Sequence, residues 1–233
     1  MSKKVCVIIP AFNESTVITK VVKDITKEFK KSNCKATIVV VNDSSEDDTS
    51  TLARQAGATV IDHIMNSGAG GATATGLRFA DMHGFDIGVT MDADGQHSPK
   101  DVVHGVEILS KSKVDLLIGS RLIDSQGMSR VKILGNRGLS MITNILFGVR
   151  VTDSQSGLRV FSKRALHKLK WKTTGYEFCS EMLWRAHQIG LHVDEYPIQA
   201  IYTDYSKAKG QNNWNAVNII KSLIKRRIGE LFG

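Results

Sequence analysis

In the first half of the chain, short unbroken apolar runs alternate with stretches of helical spacing. Val5–Ile9 is a continuous, mostly β-branched run, the pattern of a strand buried on both faces. Residues 14–30 place Val17, Val21, Ile25 and Phe29 on one helix face and lysines on the other. Thr37–Val41 reads as a second buried strand, 47–56 as a short helix and Thr59–Asp62 as a third strand. A glycine-opened helix over Gly68–His83 precedes a fourth strand over Asp86–Met91. Ser98 and Pro99 mark the next helix start, Ser as cap and Pro at the first helical position. Val114–Ile118 is a fifth strand. Strands alternating with helices predict an α/β fold with a mostly parallel sheet covered on both faces. Ligands of such sheets bind outside the carboxyl ends of the strands. The loops that follow the strands are therefore where chemistry is expected.

Beyond residue 120 the rhythm changes. Residues 131–149 form an apolar helical stretch whose Asn136, Arg137, Ser140 and Asn144 fall on one stripe. Residues 158–161 and 192–203 read as strands and 176–189 as a helix. Residues 213–232 repeat Trp214, Val217, Ile220, Ile224 and Ile228 at three- and four-residue steps, with Lys221, Lys225, Arg226 and Arg227 mostly off that stripe. The expected division is a domain over residues 1–210 and an amphipathic C-terminal helix over 211–233.

Charge sharpens this division. The 233 residues carry 31 Lys and Arg against 23 Asp and Glu, a net charge of +8 that suits an anionic partner. Residues 1–120 carry a net −2, 121–172 a net +9, 173–204 a net −4 and 205–233 a net +5. The two basic stretches coincide with the two amphipathic segments, a combination that suits an anionic membrane surface. Helices that merely cover the sheet, with solvated outer faces, would show the same pattern. Aromatics are 6% and no nucleic-acid module signature occurs, which argues against nucleic acid as the partner. No apolar run reaches the roughly 18 residues of a membrane span, and Met1–Lys4 leads into a strand without a signal-peptide layout. Three cysteines without CxxC spacing argue against a disulfide framework and for a reducing cytosol.

Four strand ends carry polar residues in chain order: Pro10-Ala11-Phe12-Asn13-Glu14, Asn42-Asp43-Ser44-Ser45, Asp92-Ala93-Asp94-Gly95-Gln96-His97 and Gly119-Ser120-Arg121. Asp92 and Asp94, leaving a buried strand, can share a hard divalent cation with the phosphate oxygens of a ligand. Gln96 can add a neutral oxygen, and Gly95 lets the backbone turn. Turns and helix caps use the same residue types; Asp43 at a neighbouring strand end tips the reading toward a metal. On its own, Asp153–Arg159 reads as a turn around Gly157 with a surface ion pair. The seven histidines show no metal-ligand spacing, and only His97 lies in a motif. Glu177 and Glu181, one helical turn apart, suit a cleft or an exposed acidic face.

These motifs resemble those of family-2 glycosyltransferases. They run through Ile8–Glu14, Val41–Thr49, Met91–His97, Gly119–Arg121, Asp153–Arg159 and Tyr205-Ser206-Lys207. The group they resemble is the dolichol-phosphate mannose synthase-like polyprenyl-phosphate glycosyltransferases. That resemblance implies a GT-A fold, Rossmann-like, and a nucleotide-sugar donor linked to UDP or GDP. It implies that Pro10, Ala11, Asn13, Glu14, Val41, Asp43, Asp92, Ala93 and Arg121 bind the donor. Asp92, Asp94 and Gln96 would hold Mg²⁺ or Mn²⁺, with Asp94 counted among the catalytic residues. The acceptor implied is a polyprenyl phosphate, with Arg159 and Lys207 near the phosphates. A lipid phosphate is ionised near pH 7 and needs no strong base; a hydroxyl acceptor would need one, and Asp153 is the first candidate. The reading is thus an inverting hexosyltransferase, peripheral at the cytosolic membrane face, in cell-surface glycan synthesis. It leaves room for an integral-membrane partner. The alternatives are the same donor chemistry on a hydroxyl acceptor, and a non-catalytic nucleotide-binding membrane recruiter. Relatives often carry Lys or Arg in the loop where this chain has Asn66–Gly71, and an arginine where it has Ala200–Asp204.

Overall fold

The computed structural model describes residues 3–32, 34–126 and 128–201. Strand β1 (Lys4–Ala11) leads to helix α1 (Ile18–Lys31), β2 (Lys35–Asn42), α2 (Thr49–Gln55) and β3 (Thr59–Asp62). Helix α3 (Gly68–Met82), β4 (Ile87–Thr90), α4 (Pro99–Lys111) and β5 (Leu116–Ser120) continue the alternation. Then come α5 (Arg130–Phe147), β6 (Arg159–Ser162), α6 (Lys163–Lys168), α7 (Phe178–Gln188) and β7 (Val193–Pro197). The strands form one seven-stranded sheet in the order β3-β2-β1-β4-β6-β5-β7.

The unbroken apolar run of β1 serves two cores at once. Cys6 and Ile8 pack on one face with α3 and α7 residues such as Leu77 and Met182. Val5, Val7 and Ile9 pack on the other face with Ile25 of α1 and Val106 of α4. A strand covered on both sides has no polar face to alternate with, which is why the run is continuous. Gly76 lets α3 lie directly on β1, since a Cβ there would overlap Ile8.

Most of the predicted elements lie where expected, and the differences have local causes. Strand β6 is antiparallel to both of its neighbours, β4 and β5. It follows the long excursion through α5, so its direction is not set by a simple crossover. Helix α6 was not expected; the Ser162 side chain caps it by accepting from the Ala165 amide. The strand expected over 192–203 spans only Val193–Pro197; residues 198–201 leave the strand, and 202–203 lie outside the described residues.

Helix α5 is oriented against simple expectation. Its Ser140 and Thr143 are buried, whereas Val131, Leu134, Met141 and Ile145 are each at least 60% exposed. Inward polar groups are paired: Ser140 Oγ donates to Ser154 Oγ, Thr143 Oγ1 pairs with Ser180 Oγ, and the Asn144 amide exchanges two hydrogen bonds with the Val151 backbone. No helix among the described residues is long and apolar enough to cross a membrane. The predicted helix over 211–233, and Lys207, lie outside the described residues.

Candidate active site

From β1 the chain moves outward to β2 and β3, while β4 lies on the opposite side of β1. The strand order therefore reverses between β1 and β4, which opens a crevice outside their carboxyl ends. The segments 10–14, 42–45 and 92–97 all emerge at this edge. Because β6 is antiparallel, its first residue, Arg159, pairs with Thr90 at the end of β4 and with Ile118 of β5. The Asp153–Gly157 segment before it is thereby delivered to the same edge.

Asp92 and Asp94 follow β4. The Asp92 side chain is 54% exposed, and one of its oxygens lies 3.0 Å from Nε2 of the buried His97. Crowding by the protein opposes ionisation of Asp92, but the His97 hydrogen bond and the charges of His97, Arg121 and Arg159 outweigh it and hold its carboxyl below the ordinary range. Asp94 moves the other way: burial and the Asp92 charge raise its pKa. It accepts from the Gln96 amide N–H at 2.9 Å and from Gln96 Nε2 at 2.7 Å. Two carboxylates that repel each other and face an open crevice fit a divalent cation, which would remove that repulsion. Among the described residues no cluster of three His, Cys, Asp or Glu side chains could hold a metal by itself. The donor set therefore suits a hydrated ion shared with a ligand's phosphates, the usual mode for Mg²⁺. Gly157 completes this corner, because a Cβ there would overlap the Asp92 carboxylate.

Arg121 and Asp153 form one unit. Nε and an Nη of Arg121 donate to the two Asp153 oxygens at 2.7 and 2.9 Å, and the Arg121 backbone N–H adds a third contact at 3.2 Å. Asp153 is fully buried, and its loop is held by Glu195 of β7. That carboxylate accepts from the Thr152 and Asp153 amides and from the Thr152 hydroxyl. Both Asp153 oxygens are thus engaged by Arg121 in a bidentate pair, which fixes the orientation of the guanidinium at this edge. The surface ion pair expected in this segment is absent among the described residues. Arg159 is 1% exposed, and its guanidinium donates to the carbonyls of Ser154, Ser156 and Cys179. It braces the Ser154–Gly157 turn and, with Asp92, Pro10 and Gly157, lines a small cavity at this edge.

Asp43 follows β2, is buried, and accepts four hydrogen bonds: from Ser67 N–H, Ser67 Oγ, Gly68 N–H and His63 Nδ1. Burial alone would raise its pKa; these bonds outweigh it and hold the carboxyl below its ordinary value. Asp43 thus caps α3, and the glycine-rich start of that helix spends its first amides on the protein. Gly68 and Gly70 are required there by close packing, since a Cβ on either would press on the carbonyls of Thr173 and Thr174. Asn13 and Ser44 take left-handed backbone, with φ 54° and 63°. Asn13 stitches two strand ends together, donating its amide to Ser45 Oγ and accepting from the Glu46 amide. Glu14 is buried beside them, with its amide on Thr49 Oγ1. Ala11, Val41 and Ala93 are buried, which leaves mainly backbone to offer a ligand, and Pro10 is partly exposed.

Two participants escape the sequence patterns: His63 and Glu195 act through partners 20 and 42 positions away, which no local spacing encodes. Gly157 lies inside a motif, but its contact with Asp92, 65 positions away, is equally hidden from local spacing. Glu181 belongs neither to an exposed acidic face nor to the cleft. It is fully buried and accepts from the Lys172 and Thr173 amides, fixing the segment that packs on α3.

The glycosyl transferase family 2 model matches residues 6–185. An uncharacterized protein of Methanocaldococcus jannaschii is 42% identical over 230 residues, covering 97% of this chain and 93% of that protein. The UDP-N-acetylglucosamine–dolichyl-phosphate N-acetylglucosaminyltransferase of Methanococcus voltae is 37% identical, covering 98% of each chain. In fold, the chain is similar to glucosyl-3-phosphoglycerate synthase from Mycobacterium tuberculosis, crystallised with Mn²⁺, uridine diphosphate and phosphoglyceric acid. The TM-score is 0.73 at 21% identity, covering 95% of this chain and 76% of that one. The motifs at the sheet edge, the extent of the family match and the similarity over nearly the full length agree: the chain belongs to glycosyl transferase family 2 and has the GT-A fold.

Proposed function

We propose that the protein transfers a sugar, with N-acetylglucosamine as first choice, from a UDP-linked donor to a polyprenyl phosphate, inverting the anomeric carbon. The Methanococcus voltae relative's name supports both the donor and the class of acceptor. The observation that carries the acceptor assignment is the state of Asp153, the base a hydroxyl acceptor would call on. It is buried and held in a bidentate pair by Arg121. An acceptor that arrives ionised needs no such base, and a phosphate monoester is ionised near pH 7.

In this reading Asp43, with the Pro10–Glu14 and Val41 backbone around it, orients the nucleoside. Asp92 and Asp94, helped by Gln96, hold Mg²⁺ or Mn²⁺, which when bound supplies positive charge to stabilise the leaving diphosphate. Arg121, fixed by Asp153, adds a second cation at the same edge. A cleft of about 280 Å³ beside that pair, lined by Leu122, Arg137, Ser140, Met141, Asn144, Val151 and Thr152, suits a phosphate head on an apolar stem. Attack by the acceptor oxygen from the face opposite the diphosphate forms the new bond as the old one breaks.

The outward face of α5 supports a membrane-surface location. Exposed Val131, Leu134, Met141 and Ile145 are flanked by exposed Arg130, Lys132, Arg137 and Arg150, the composition of a helix lying in an anionic interface. The test is transfer from UDP-N-acetylglucosamine, with Mn²⁺, to polyprenyl phosphate in anionic vesicles and to soluble hydroxyl acceptors. Lipid-linked product that disappears with chelator is expected. Turnover on a soluble acceptor alone would overturn the acceptor assignment, and no turnover on any acceptor would favour a non-catalytic role.

A further inference from the structure

His63 follows β3 and belongs to none of the motifs, yet it lies against Asp43. Its Nδ1 is 2.7 Å from Asp43 Oδ1, and its Nε2 is 3.0 Å from Thr75 Oγ1 on α3. The ring is 16% exposed. An ionised carboxylate only accepts, so Nδ1 carries a proton. Ser67 N–H and Ser67 Oγ each donate to the same Oδ1 at 2.8 Å. Oδ1 therefore serves three donors, whereas Oδ2 serves one, the Gly68 N–H at 2.8 Å. The acceptor capacity left on this carboxylate lies on Oδ2. The terminal torsion of an Asp side chain is soft, so its orientation is set by such partners. Ser67 and Gly68 belong to the start of α3 itself; His63 alone ties Asp43 to the end of β3 and, through Thr75, to the second turn of α3.

We propose that His63 is a positioning residue that sets nucleobase specificity. Backed by Thr75, it fixes the Asp43 carboxylate so that Oδ2 is offered to a base carrying a ring N–H, as uracil and guanine do. Cytosine presents an unprotonated ring nitrogen at the equivalent place, and its lone pair would face the carboxylate oxygen unfavourably. This rests on the reading of Asp43 as a nucleoside-binding residue.

The test is calorimetric titration of the full chain with UDP and with CDP, each with Mn²⁺, alongside thermal melts. GDP replaces UDP if it binds more tightly. The wild type should prefer UDP. In His63→Leu, affinity for UDP should fall about tenfold, the loss of one charge-assisted hydrogen bond's worth of order, while CDP changes much less. The preference should therefore narrow. His63→Asn, whose side-chain amide can replace the Nδ1–H donor, should restore most of it, and Thr75→Val should narrow it in the same direction. Equal weakening of UDP and CDP would reveal a merely structural histidine and overturn the proposal. Should His63→Leu fail to fold, His63→Asn and Thr75→Val decide the matter by the same ratio. Asp43→Asn separates the two levels. If it abolishes the preference while folded His63→Leu keeps it, the His63 inference alone is wrong. If Asp43→Asn leaves both affinities unchanged, the nucleoside reading itself fails.

Discussion

Replacing Gly157 by alanine would put a methyl group well inside 3.0 Å of both Asp92 carboxylate oxygens, a separation real Cβ atoms do not show. One side must yield. The Gly157 carbonyl is tied to β4, accepting from Thr90 Oγ1 at 2.9 Å, whereas the Asp92 side chain is 54% exposed and can swing away. Regaining ordinary contact takes a retreat of about 1 Å, enough to break the 3.0 Å hydrogen bond to His97. A sheltered charge-assisted bond of this kind is worth about 1.5–3 kcal/mol, and solvent at Asp92 puts this one at or below the low end. Loss of about 1 kcal/mol shifts the melting temperature of a domain this size by about 2–4 °C. A catalytic group displaced by about 1 Å, by contrast, costs about 100-fold in rate. Gly157→Ala should therefore fold nearly normally, lose about 100-fold in sugar transfer, and need more Mn²⁺ for half-maximal rate. Initial rates across a Mn²⁺ titration, with a thermal melt of the same sample, measure all three. Full turnover at the wild-type Mn²⁺ requirement would show instead that Asp92 can move without consequence, and that Gly157 is not needed to hold it.

Other outcomes follow from the same geometry. Asp153→Asn leaves Arg121 without its buried partner, a loss of about 3–5 kcal/mol by chemical denaturation; unchanged stability with lost activity would instead mark Asp153 as a base. Met141→Glu with Ile145→Glu should abolish flotation with anionic vesicles while leaving the melting temperature unchanged, since both side chains point outward. Asp47 is pushed down to about 2, because hydrogen bonds from Thr49 and Ser15 outweigh its desolvation. Its folded-state pKa lies below the unfolded value of about 3.9, so its contribution is present above that value and lost as pH falls toward 2. Urea denaturation between pH 5 and 2 should show this loss, and Asp47→Asn should flatten it.

Much of the fold is legible in the sequence because buried parallel strands have no polar face: Val5–Ile9 and Thr37–Val41 admit little else. The direction of β6 is not legible, since four residues carry no directional signal and the neighbours are chosen by tertiary packing. The apolar content of α5 is plain from its residues, but the face it buries is not. The inward stripe is held by Ser140, Thr143 and Asn144 through partners on Ser154, Ser180 and Val151. At the site, strand-end position alone marks Asp43, Asp92 and Asp94. The states of Asp153, Arg159 and Glu181 depend on partners brought in by the fold, so local spacing reads Asp153–Arg159 as a surface pair and leaves Glu181 between a cleft and an exposed acidic face. Burial removes all of these placements, since Asp153, Arg159 and Glu181 are each at most 1% exposed. Gly157 shows the same limit: only the folded chain reveals that the residue opposite Asp92 must have no side chain.

In the proposed reaction a sugar passes intact from a nucleotide to a lipid phosphate with inversion. Mass and NMR analysis of the lipid product formed from α-linked UDP-N-acetylglucosamine and polyprenyl phosphate tests it most directly. The product should carry one added N-acetylhexosamine, a single phosphorus atom and a β-anomeric linkage. Two phosphorus atoms, an α linkage, or free sugar with no lipid product would contradict it.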